Sequence, residues 1–139
     1  MEMVHSKVWD QTILYHQADH VVVGVPVNLN GDRKEGEFLK PLMFPEYSEE
    51  FPHSENTIGF QGNPGGPEFY INTDDNSHYH VPGKQKHDRM DEGESCFGKI
   101  VHGMDVVRKF REISRKALKS ESGVLYTVIE SMRIVRIQY

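Results

Sequence analysis

All seven prolines of this 139-residue chain fall between positions 26 and 82, and glycine is interleaved with them in GNPGGP (62–67) and Pro82-Gly83. Proline fixes φ and lacks the N–H that a helix interior requires, while glycine opens positive-φ turns. This stretch is therefore expected to fold as short strands joined by turns. Val21–Val27 is β-branched and reads as a strand, with Pro26 awkward for a central position near its end. Asn30-Gly31, within NLNGDRKEG (28–36), is a hairpin signal. Residues 37–57 are irregular apart from a short strand at Leu42 to Phe44. Ile58–Phe60 and Glu68–Asn72 flank the GNPGGP loop as strands, and in residues 1–14 Trp9, with Ile13 and Tyr15 beyond, lines one side of another.

Residues 73–95 are polar and read as a long surface excursion. Cys96–Val101 is a strand, with Cys96 a small core residue. Gly103 then leads into Met104, Val107, Phe110 and Ile113, whose spacing of three predicts a helix over 104–117 with that stripe inward. Leu125–Ile137 alternates as a strand. The expected fold is mostly β, one domain over residues 1–139, an antiparallel sheet or barrel with one helix capping an end.

A net charge of −5 argues against nucleic acid, and the cations of Arg108–Lys119 read as a solvated helix face. The longest apolar run, Val21–Val27, is too short to cross a bilayer, and no charged-then-apolar leader opens the sequence. One cysteine leaves the compartment open. His78, His80 and His87 with nearby carboxylates invite a metal reading, but no third ligand is specified; solvated loop histidines are the plainer expectation. The acidic residues Asp88, Asp91, Glu92 and Glu94 lack the pattern of a calcium loop and are expected to face solvent.

GPEFYIN (Gly66–Asn72) and CFGKIVHGMDVV (Cys96–Val107) together resemble the cyclophilin family, where the equivalent phrases run approximately GSQFFI and VFGKVxxGMDVV. The resemblance covers residues 14–137. It implies a cyclophilin-like antiparallel β-barrel, and an activity that turns X–Pro peptide bonds between cis and trans. That reaction rotates a C–N bond against a barrier of ~20 kcal/mol and breaks no bond, so neither metal nor cofactor is implied.

Leu14-Tyr15-His16-Gln17 is similar to the family's FHR phrase, which puts Gln17 where the catalytic arginine stands. An uncharged amide polarises the prolyl nitrogen less than a guanidinium, so reduced activity is expected. The same resemblance places Val22 at a pocket aromatic, Val25 near a peptide-gripping glutamine, and Glu68 at a second glutamine. It makes Tyr70 the conserved wall of the proline pocket, and counts Phe60 and Gln61 with the peptide-binding set. The alternative is a non-catalytic module that keeps the groove and binds proline-containing segments. Because the FHR-like phrase begins so early, the barrel is open at its N-terminal side unless residues 1–14 or another segment closes it. An uncovered edge invites self-association.

Overall fold

The computed structural model describes residues 2–27, 46–61, 65–84, 93–119, 126–129 and 131. Six strands form one antiparallel sheet: β1 (Thr12–Ala18), β2 (Val21–Pro26), β3 (Thr57–Phe60), β4 (Phe69–Asn72), β5 (Cys96–Lys99) and β6 (Tyr126–Ile129). Their order is β5-β3-β4-β2-β1-β6. Among the described residues two helices accompany it, the single-turn α1 (Glu2–His5) and the long α2 (Met104–Lys119). The mostly β, one-long-helix expectation holds, and among the described residues β5 and β6 remain edges. The Asn30-Gly31 turn, the Leu42–Phe44 strand, His87, Asp88, Asp91, Glu92 and the chain after Ser131 lie outside the described residues.

Alternation along the strands gives the sheet two unlike faces. On one, Trp9, Phe69, Ile71 and Met104 form an apolar core with Leu14, Ile58, Phe60 and Val107 packed against it. On the other, Val21, Val23, Val25, Val27 and Tyr70 cluster with Ile13 and Tyr15. The register fixes the division: Gly24 faces Phe69, Val22 faces Ile71 and Val23 faces Tyr70. Residues 2–5 are helical, so Trp9 comes off a turn into the first core while Ile13 and Tyr15 serve the second. The expectation that the three share one side fails there.

Each ring of the Phe69-Tyr70 pair lies across a glycine on a neighbouring strand. A Cβ on Gly24 would sit 2.4 Å from Phe69 Cζ, and one on Gly59 would sit 2.7 Å from Tyr70 Cζ. Any side chain there displaces an aromatic ring.

Helix α2 forms where its apolar spacing predicts, but its inward line differs. Nine residues turn a helix through about 900°, half a turn out of phase, so a strict spacing of three cannot hold one face from Met104 to Ile113. Met104 and Ser114 are buried, whereas Ile113 is 47% exposed. Arg108, Arg111 and Arg115 pin three loops: Arg108 holds Glu55, Arg111 holds Asp74 at 3.1 Å and Arg115 holds Asp19 at 3.4 Å.

Candidate functional site

Tyr70 stands at the centre of a buried polar cluster that closes over its ring. Its hydroxyl donates to Glu94 Oε2 at 3.0 Å and lies 3.2 Å from His53 Nδ1. The His80 ring stacks on the phenol, centroids 4.8 Å apart at 23°, and Glu94 also accepts from His80 Nδ1. His53 Nε2 lies 2.8 Å from the Glu94 carbonyl oxygen, which only accepts, so that nitrogen carries the proton and Nδ1 is the acceptor.

Asparagines brace the cluster. Asn76 Nδ2 donates to Asn72 Oδ1 at 2.7 Å, which turns the Asn72 amide nitrogen toward Thr57 Oγ1 at 2.9 Å and His53 Nδ1 at 3.5 Å. Asn76 Nδ2 also reaches the His20 carbonyl at 3.2 Å. His20 extends the row of rings, its centroid 6.3 Å from that of His80.

Electrostatics follow from this enclosure. Burial pushes the Glu94 carboxyl up, but the hydrogen bond and charge of His80, then Tyr70, outweigh it and hold Glu94 below the usual carboxylate range. Burial lowers His53, against the partial support of the Glu94 carbonyl, and His80 lowers it further. His20 is lowered by burial and by His80, with Asp74 opposing. At neutral pH the cluster holds an ionised carboxylate beside neutral His53 and His20.

This arrangement corrects several sequence expectations. Tyr70 does not wall an open pocket: it is 3% exposed and its hydroxyl is committed inward. Val22 is fully buried opposite Ile71, on the other face from Tyr70, so the two cannot border one cleft. Phe60 pairs with Phe69 on that same far face and stacks on Phe97, centroids 4.2 Å apart. Val25 shares the face of Tyr70 but is buried. Gln61 and Glu68 are brought together at the strand ends, Gln61 N donating to Glu68 O at 2.9 Å. Gln17 occupies a bulge in β1 between His16, paired to Val22, and Ala18, paired to Val21; only its backbone is described.

Two further expectations change sign. Glu94 and His80 belong to a buried pair, not to a solvated loop. Cys96 is half-buried and lines an open groove of about 550 Å³ beside β5, with Phe51, Pro52, Thr57, Phe97 and Lys99. Sequence reasoning missed His53 altogether. Its one signal is Gly59, which leaves the space that Tyr70 and His53 fill; the Gly59 Cβ position is 2.8 Å from His53 Cε1. Among the described residues no three His, Cys, Asp or Glu side chains converge as metal ligands.

No curated protein matches the chain. The protein-family comparison does, over nearly all of it. The model of the cyclophilin type peptidyl-prolyl cis-trans isomerase/CLD family matches residues 1–137, and with the mostly β sheet, the GPEFYIN strand and the strand–turn–helix phrase in their expected places, the chain belongs to that family.

Proposed function

We propose that the domain is a peptidyl-prolyl isomerase of reduced activity, whose proline-gripping face is held shut in its resting conformation. The observation that carries this reading is the Tyr70 ring, 3% exposed under His53 and His80. A ring that must receive a proline is here occupied by the chain's own imidazoles. Gln17 in the polarising position adds a second handicap, since preorganised donors contribute ~3–4 kcal/mol in other enzymes and an amide carries no charge. Gln61 and Glu68 would fix the peptide backbone, and Val25 would floor the site beside Tyr70.

A coupled assay on an Ala-Pro test peptide at neutral pH tests this. The expected result is weak acceleration, and an increase of at least ~10-fold in kcat/KM for Gln17→Arg. A wild-type kcat/KM in the range of about 10⁶–10⁸ M⁻¹s⁻¹ would refute it.

A second reading, binding of proline-containing segments without catalysis, is favoured by the groove along β5. It is open, lined by Phe51, Pro52 and Phe97, and flanked by a strand with a free edge among the described residues. Peptide-induced NMR shifts at Phe51 and Phe97, with no rate acceleration, would support it.

A further inference from the structure

We propose that His20, His53 and His80 form an acid-released latch over the Tyr70 face, so that mild acidification lifts the covering loops and opens that face to a proline-containing segment. This rests on the occluded-isomerase reading and supplies its regulation.

The three rings stand in a row, His53 to His80 at 5.0 Å and His80 to His20 at 6.3 Å between centroids. They come from three separate loops: the turn after β1, the segment before β3 and the excursion after β4. Charges face them from every side, and the carboxylates are mostly taken. Asp74 is engaged by Arg111 and Asp19 by Arg115, both from α2, which leaves Glu94 as the counter-charge at the centre. Glu94, already paired with His80, has no second charge to offset a proton arriving on buried His53 or half-buried His20.

Hydrogen bonding points the same way. The Asn72 amide presents an N–H to His53 Nδ1, so a proton there displaces that donor and finds only the Tyr70 oxygen, 3.2 Å away, as acceptor. His80 Nε2 is buried with no partner atom among the described residues, so an N–H there finds no acceptor. The three histidines lie with Tyr70, whereas Trp9, Phe69, Ile71 and Met104 pack on the opposite face of the sheet.

The size of the effect follows from linkage. If a histidine titrates near 6.5 once solvated and resists protonation while closed, opening at pH 5 gains up to about thirtyfold per ring over its value near neutrality. The buried ring of His53 alone therefore allows a tenfold change, to which half-buried His20 adds.

The experiment follows amide hydrogen exchange of the 53–57, 73–80 and 93–95 loops from pH 7.5 to 5, corrected for intrinsic rates. Emission of Trp9, the single tryptophan, reports the other core. Expected are at least tenfold faster loop exchange by pH 5 and at least tenfold tighter binding of the Ala-Pro test peptide, with Trp9 emission unchanged. Glu94→Gln, which keeps an acceptor for Tyr70 but removes the charge, should raise loop exchange already at pH 7.5. Loops that stay protected to pH 5, or a Trp9 change in step with them, overturn the latch. Loops that open while no peptide binds leave the latch standing and sink the isomerase reading instead.

Discussion

Replacing Tyr70 by Phe removes one oxygen from the middle of the buried cluster, and the cost separates a closed face from an open groove. The hydroxyl donates to an ionised carboxylate, Glu94 Oε2, at 3.0 Å, and a hydrogen bond to a charged partner contributes about 1.5–3 kcal/mol. His53 Nδ1, 3.2 Å away, receives no proton from that hydroxyl and keeps the Asn72 amide at 3.5 Å, so its loss adds nothing to the penalty. The ring, its stacking on His80 and its place over Gly59 are unchanged, so no cavity contributes. The expected loss is about 2–3 kcal/mol, or about 6–12 °C in Tm for a chain of this size. Urea unfolding at pH 7, comparing midpoints at constant slope, measures it. The deficit should shrink in acid, first as the histidine cover opens and then as protonation of Glu94 removes the charged acceptor in both proteins. Were Tyr70 facing solvent, losing its hydroxyl would change stability by less than about 0.5 kcal/mol, and that outcome would refute the buried-cluster account.

Gly59→Ala should destabilise by about 1–3 kcal/mol, since its Cβ would lie 2.7 Å from Tyr70 Cζ and 2.8 Å from His53 Cε1; a stability equal to the parent in thermal melts would contradict that packing. Stability should fall with acid in two stages. His53 is depressed in the folded state, so below about pH 6.5 the unfolded chain takes up a proton that the folded one refuses; Glu94 is depressed too, so its contribution, present above about 4.5, is lost as pH falls through its folded value. Unfolding midpoints that are flat from pH 7 to 4 would rule out both signs. The edge of β5, with Phe97 42% exposed beside it, should drive concentration-dependent self-association that Phe97→Lys weakens; one monomeric mass at every concentration by light scattering removes that idea.

The pattern of legibility in this chain follows from which signals are local. Strand β2, strand β4 and helix α2 were readable because β-branching, aromatic alternation and apolar spacing act within a few residues. The inward stripe of α2 fails at Ile113 because a spacing of three is not the helix period, and the drift accumulates to half a turn by that residue. Resemblance placed Tyr70 in the correct strand and identified the family. It could not convey what lies on that ring, because His53, His80 and Glu94 reach it from sequence separations of 17, 10 and 24 residues. Polar residues in proline-flanked segments look solvated until tertiary structure brings them together.

The consequence for function turns on the asymmetry of the two faces. Burying charge against a sheet is costly unless every group is paired, and a cluster that holds one ionised carboxylate beside neutral His53 and His20 is sensitive to added protons. An aliphatic cover over Tyr70, like the packing around Phe69, would have closed the face permanently and tolerated acid. The chain instead packs helix α2 on its hydrophobic core and titratable side chains on Tyr70. With His53 and His20 in that cover, the latch proposed above makes the accessibility of Tyr70 a function of proton concentration. For that reason isomerase measurements at a single pH sample only one of the two states this architecture permits.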